Sequence, residues 1–305
     1  MPKDLISIND LSSGQITELL DLGRSLKAEI KAGKTRDTLS GKTLALVFEK
    51  PSLRTQATFE VGMHQLGGHT IFLGGANIQL GQRETVPDVA RNLERWVHGI
   101  AARTFAHRTV TDLAKYAHVP VINALTDREH PCQALAWLMT VSEHRGDLRG
   151  SKLAFVGDGN NVAHSLMLLC AKMGISFVIC CPPGFEPDKA LVQEARALAN
   201  ETGSSIAVIN DLSGTDAADF LYTDVWASMG QEAQRAERLK AFGSFQVDAD
   251  VLSRASSDAL VSHCLPAHRG EEITDDVLDG PHSVAFDEAE NRLHIQKALL
   301  LTLMR

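Results

Sequence analysis

From residue 42 onward the chain alternates short apolar runs with loops of polar or small residues, followed by stretches whose apolar positions recur every three or four residues. The runs at residues 42–48, 70–73, 100–104 and 119–123 predict strands, and residues 85–98 and 109–118 predict helices between them. That order is the βαβ rhythm of a parallel sheet. A helical stretch at residues 131–145 runs into Gly146-Asp147-Leu148-Arg149-Gly150, which punctuates the pattern. The rhythm then restarts, with strands expected at residues 153–156, 177–181, 206–209, 220–224 and 259–264, so a second parallel α/β domain is expected. Residues 10–32 read as an amphipathic helix beginning at an Asp or Ser cap. Residues 288–304 read as a closing helix, whose packing partner periodicity does not reveal. No internal repeat or low-complexity tract is visible.

Composition narrows the class. A chain of 305 residues, 44% hydrophobic and 22% charged, can bury an apolar core in each of two domains. The opening MPKDLISIND lacks a basic segment followed by an apolar stretch, and no run approaches membrane-spanning length, so a cytoplasmic location is expected. The formal charge of -8 disfavours nucleic acid or an anionic membrane as partner, and an anionic substrate must then be held by local arginines. The five cysteines show no metal-ligand spacing, which predicts reduced thiols and no structural metal.

The candidate chemistry sits where strands end. Ser52-Leu53-Arg54-Thr55 follows a strand and opens a helix, where unpaired N–H groups, hydroxyls and a guanidinium suit a phosphate. Taken alone, Ser52 is equally a helix cap and Arg54 a solvated charge. Arg103 ends the next strand but one, and His130-Pro131-Cys132-Gln133 opens another helix. An arginine and a histidine directed into one pocket can polarise a carbonyl and hold the oxyanion of an acyl transfer, although Arg103 can also be an ion-pair partner and His130 a cap. Cys132 has no identifiable base, so packing is its expected role. Gly157-Asp158-Gly159-Asn160-Asn161 resembles a degenerate dinucleotide fingerprint, without its third glycine or a ribose-binding acid, and the two asparagines can bind a carboxylate or an ammonium group instead. Asp224-Val225-Trp226-Ala227-Ser228-Met229-Gly230 and His263-Cys264-Leu265-Pro266 also follow strands. Asp224 can hold an amino group or cap a helix, and Cys264 can lie by an attacking amine or be a small buried residue. In parallel sheets ligands bind beyond the carboxyl ends of strands, and Ser52, Arg103, His130, Asn161, Asp224 and Cys264 all fall there.

Four separated segments, SxRT at 52–55, HPxQ at 130–133, DxxxSMG at 224–230 and HCLP at 263–266, occur in the order found in the aspartate/ornithine carbamoyltransferases. The chain resembles that family from roughly residue 4 to its end, and SMG, HCLP and the FDEAENR segment at 286–292 resemble the ornithine-type members. The resemblance implies two parallel-sheet α/β domains with a C-terminal helix returning to the first. A carbamoyl phosphate domain would cover residues 1–146 with helix 287–305, and an ornithine domain residues 147–286. It implies transfer of a carbamoyl group from carbamoyl phosphate to the side-chain amine of ornithine, without metal or organic cofactor. Ser52, Leu53 through its backbone, Arg54, Thr55, Gln79, Arg103, His130, Gln133, Cys264, Leu265 and Arg292 would surround carbamoyl phosphate. Asn161, Asp224, Ser228 and Met229 would hold ornithine, and Thr55, Arg103, His130 and Cys264 would be catalytic. It further implies a homotrimer or a multiple of trimers, with Gln79 reaching a neighbour's site. The chain departs from the S-T-R-T-R pattern at Leu53 and Gln56, and from a common aspartate at Trp137. Leu53 either removes a phosphate-binding hydroxyl or packs into the core. Competing readings are transfer to another amine, a silent paralogue, and an NAD-dependent oxidoreductase built on Gly157 and Gly159.

Overall fold

The computed structural model describes residues 1–227 and 232–305, which form two compact units, residues 1–139 with 290–305 and residues 140–289. In chain order the first contains α1 (Ser13–Lys31), β1 (Thr43–Phe48), α2 (Leu53–Gln65), β2 (His69–Gly74), α3 (Gly75–Ile78), α4 (Val86–Leu93), β3 (Gly99–Arg103), α5 (His107–Tyr116) and β4 (Val121–Leu125). Helix α6 (Pro131–Arg145) carries the chain into the second unit. There follow β5 (Lys152–Val156), α7 (Asn161–Met173), β6 (Ser176–Cys180), α8 (Lys189–Thr202), β7 (Ile206–Ile209), β8 (Phe220–Thr223), α9 (Arg235–Phe242), α10 (Ala249–Arg254), β9 (Leu260–His263) and α11 (Asp275–Leu278). The last helix, α12 (Ala285–Leu303), carries the chain back into the first unit.

Both sheets are parallel throughout. The first has the order β2-β1-β3-β4 and the second β7-β6-β5-β8-β9. The expected two-domain parallel architecture and the return of the terminal helix are therefore observed. Strands β1, β3 and β5 are covered almost throughout, which is why they appear as unbroken apolar runs: parallel strands packed on both faces have no solvent side to alternate with. Strand β2 is the exception. Its Ile71 and Phe72 are exposed, although Phe72 meets Phe48 edge-on.

Local chemistry sets the helix ends. Ser12 caps α1, accepting from the Gln15 N–H while the Gln15 side chain returns to the Ser12 N–H, so the first helix begins three residues later than the periodicity suggests. The expected helix at 85–98 closes early, at Leu93, and turns at residues 94–96 lead the chain towards β3. A one-residue register shift lies between Ala102 and Arg103, where β3 pairs with β4. Such a bulge redirects the residue that ends the strand, here Arg103. In each sheet the order reverses at one place, between β1 and β3 and between β5 and β8, the kind of switch point at whose strand ends α/β sheets generally bind ligands. Arg103 ends β3, and the loops after β1, β5 and β8 carry Ser52, residues 157–160 and Asp224. Among the described residues no helix is long and apolar enough to cross a membrane, and all five cysteines are free thiols.

Candidate active site

In the first unit the phosphate-like motif and the histidine motif meet through a third segment. Ser52 caps α2, its hydroxyl accepting from the Thr55 N–H at 3.3 Å, so the helix-cap role is real. Thr55 is buried, and its hydroxyl accepts from Arg292 Nη2 at 2.7 Å. Arg292, from α12, also donates through Nη1 to the Gln133 side-chain carbonyl. One guanidinium thus ties the SxRT helix to the HPxQ helix, a link between positions far apart in sequence.

His130 and Arg103 are both buried, at 4% and 7% exposure. Burial first, and then the Arg292 and Arg103 charges, hold the His130 pKa well below its ordinary 6.5, so the ring is neutral at physiological pH. A neutral imidazole carries one N–H donor and one acceptor, which suits polarising a carbonyl without adding a third cation. The loop before it is fixed by the buried Glu129, whose carboxylate accepts from the Ile8 N–H at 3.0 Å. Cys132 is buried, with its pKa pushed up to about 11 by burial, so it is a packing residue and not a nucleophile.

The departures from the family pattern have structural explanations. Leu53 is 79% exposed and therefore does not pack into the core. Gln56 donates to Glu60 one turn later at 3.0 Å. Trp137 is the largest of the fully buried side chains and serves the core. Gln79 is exposed, in the left-handed region with φ 41°, where it ends α3.

In the second unit Asp224 lies just past β8 and is 6% exposed. Its Oδ1 accepts from Cys264 Sγ at 2.7 Å and from the Val225 N–H at 2.8 Å, and its Oδ2 accepts from Asn160 Nδ2 at 2.7 Å. The DxxxSMG and HCLP motifs therefore converge on one carboxylate. Burial, and next the neighbouring Asp224 charge, raise the Cys264 pKa well above 9, so this sulfur is a thiol donor and not a thiolate. The second glycine of the dinucleotide-like loop, Gly159, has an internal explanation. Gly159 donates its N–H to the Phe185 carbonyl at 2.9 Å, and a Cβ there would overlap the backbone of Glu186 and Pro187, so the chain itself occupies the close approach that a pyrophosphate would need.

Family models match both halves: the aspartate/ornithine carbamoyltransferase carbamoyl-P binding domain over residues 3–143, and the Asp/Orn binding domain over residues 149–303. The chain belongs to the aspartate/ornithine carbamoyltransferase family. It is 52% identical to an ornithine carbamoyltransferase of Anoxybacillus flavithermus, covering 99% of this chain and 96% of that protein. It is 51% identical to the ornithine carbamoyltransferase of Pyrococcus horikoshii over the same shares. Among solved structures, the ornithine carbamoyltransferase of Pyrococcus furiosus superposes with a TM-score of 0.96 at 50% identity, covering 99% of this chain and 96% of that one.

Within this family member, Asn160 is the asparagine that reaches Asp224, and Asn161 follows it as the first residue of α7. Ser228 and Met229 lie outside the described residues. One residue without a sequence signal also shapes the second unit. Arg238 on α9 donates to Asp158 of the glycine loop at 2.7 Å and to the Trp226 carbonyl at 2.8 Å, joining the loops after β5 and β8. Nothing in the composition of α9 distinguishes Arg238 from its charged neighbours; only folding brings it to Asp158.

The buried histidines of the first unit predict a pH dependence. His294, 3% exposed on α12, has its pKa lowered to about 4 by burial and then by Lys297. Buried His130 and half-buried His107 are shifted in the same direction, each chiefly by desolvation. A histidine with a folded pKa below its unfolded value near 6.5 takes up its proton more readily when unfolded. Its contribution to stability is complete above 6.5 and is lost as pH falls towards the folded pKa. For His294 alone, roughly 2 kcal/mol should disappear between pH 6.5 and 5. Urea unfolding at pH 7.5, 6.5 and 5 should show this fall, and His294→Gln should flatten it by about one proton's worth. An equally steep fall in the variant would contradict the assignment.

Proposed function

We propose that the chain is an ornithine carbamoyltransferase, which joins carbamoyl phosphate and L-ornithine to give L-citrulline and phosphate, within arginine biosynthesis or catabolism. The observation that carries this reading is the convergence of the Cys264 thiol and Asn160 on Asp224, a built anionic site from the two motifs that distinguish the ornithine-type members. Residues 1–146 with 287–305 hold carbamoyl phosphate and residues 147–286 hold ornithine.

In this reading Ser52, Arg54 and the N-terminal N–H groups of α2, including that of Leu53, bind the phosphate. Thr55, Arg103 and neutral His130 point donors at the carbamoyl oxygen, with Gln133, Arg292, Leu265 and Gln79 completing the ligand shell. The neutral side-chain amine of ornithine attacks the carbamoyl carbon. Its lone pair becomes the new C–N bond, and the carbonyl π pair moves onto oxygen, where the donors receive it. Collapse of that intermediate breaks the bond between the carbamoyl carbon and the bridging phosphate oxygen, and phosphate leaves with the electron pair and takes up the amine proton. Asp224, with Asn161, Ser228 and Met229, holds the amino-acid end, and the Cys264 thiol lies beside the attacking amine. The leaving group is already activated, so the chemistry consists of positioning and charge stabilisation and calls on no metal or organic cofactor.

A homotrimer or a multiple of it, in the cytoplasm, fits the exposed Ile71 and Phe72 of β2, since a parallel strand normally has both faces covered. The functional test is a panel of acceptors assayed with carbamoyl phosphate: ornithine, putrescine, aspartate and N-acetylornithine. Citrulline formation should dominate. Preference for a diamine or an acylated ornithine would move the chain to another specificity, and no product with any acceptor would make it a silent paralogue.

A further inference from the structure

Behind the loop that carries Cys264 lies a buried pair outside the motif roles assigned above. His263, the last residue of β9, and Glu272 both have fully buried side chains, and His263 Nε2 lies 3.0 Å from Glu272 Oε1. The Leu265 N–H donates to His263 Nδ1 at 2.8 Å, so Nδ1 is the acceptor and the ring proton sits on Nε2, directed at Glu272. The same Oε1 accepts from the His268 N–H at 2.5 Å. One carboxylate oxygen thereby holds both the strand end and the far side of the loop. Between these anchors Leu265 has φ 51°, the left-handed region that a leucine rarely adopts without outside support. Cys264, the residue before it, places Sγ 2.7 Å from Asp224 Oδ1.

We propose that His263 and Glu272 are positioning residues, a brace that keeps the Leu265 backbone in its left-handed conformation and so sets where the Cys264 thiol meets Asp224. The proposal rests on the carbamoyltransferase reading for its bearing on catalysis. His263 is not a proton carrier for Cys264, because both of its ring nitrogens are already engaged, with the Leu265 N–H and with Glu272. What the brace requires is an acceptor at the position of Oε1. Glutamine supplies one, aspartate draws it back by a methylene, and methionine removes it.

The test compares Glu272→Gln, Glu272→Asp and Glu272→Met by two readouts, one of them independent of turnover. The first is alkylation of each cysteine by iodoacetamide, followed by peptide mass spectrometry. Cys264 is half-buried and the four others are buried, so local loss of the brace should speed labelling at Cys264 alone, whereas general loosening should speed all five. The second is kcat for citrulline, expected to fall roughly ten- to a hundredfold in the Asp and Met variants and to stay within about threefold in the Gln variant, since a misplacement of an ångström can cost that much. If Glu272→Met does not fold, the Gln and Asp variants decide. Wild-type labelling and turnover in Glu272→Asp would overturn the brace, as would a Gln variant as impaired as the Asp variant, or labelling that rises equally at every cysteine. Absence of citrulline from the wild-type protein would instead overturn the functional reading and leave the labelling result to judge the brace.

Discussion

Replacing Arg103 with alanine should lower kcat by about a hundred- to a thousandfold, the scale on which a preorganised donor to a developing oxyanion contributes. The side chain is buried at the end of β3, redirected by the register shift against β4, and its charge is among those that keep His130 neutral. Removing it withdraws the cation assigned to the carbamoyl oxygen and relieves His130 of one repulsion at the same time. The KM for carbamoyl phosphate should rise less than kcat falls, because the negative charge on that oxygen grows only as the amine attacks. Arg103→Lys should recover only part of the rate, since an ammonium cannot reproduce the planar fork. Steady-state kinetics with both substrates varied gives the answer. A kcat within a factor of a few of wild type in Arg103→Ala would remove Arg103 from the oxyanion site.

The second large effect should come from Asp224→Asn. Among the described residues, the three groups that meet this carboxylate are donors: the Cys264 thiol, the Val225 N–H and the Asn160 amide. A carboxylate accepts from all of them, whereas an asparagine must turn its own NH2 towards at least one, whichever way it flips. The variant therefore loses the charge assigned to the ornithine ammonium and gains a donor-donor conflict in a buried place. Breaking a charged hydrogen bond of this kind costs about 2–3 kcal/mol, or roughly thirty- to a hundred-and-fiftyfold in affinity. Calorimetry should show the loss with ornithine or norvaline in the presence of a carbamoyl phosphate analogue, while the analogue itself binds as before. Unchanged amino-acid affinity with weakened analogue binding would reverse the assignment of Asp224.

The parts of this molecule that were readable before folding share one property: their signal is local. The buried strands β1, β3 and β5 are short apolar runs because both of their faces are covered. Ser52 was readable as a cap, and the loops bearing Asp224 and Cys264 were readable as strand ends. The early stop of α4 was not, because the turns that follow Leu93 return the chain to a strand whose place depends on the rest of the sheet. Leu53 had two open readings, loss of a phosphate-binding hydroxyl or packing into the core, and its 79% exposure rules out the core.

The sequence by itself determined the parallel α/β class, the two-domain rhythm and the family, since periodicity, turn residues and spaced motifs are properties of short segments. Only the tertiary structure decided that Arg292 reaches both Thr55 and Gln133, that Asn160 is the asparagine at Asp224, that Arg238 joins two loops, and that Glu272 backs His263. It also decided the protonation of the site. Neutral His130 and the protonated Cys264 thiol follow from burial and from charges contributed by distant segments, and neither desolvation nor the partner of a polar group exists until the chain has folded over it.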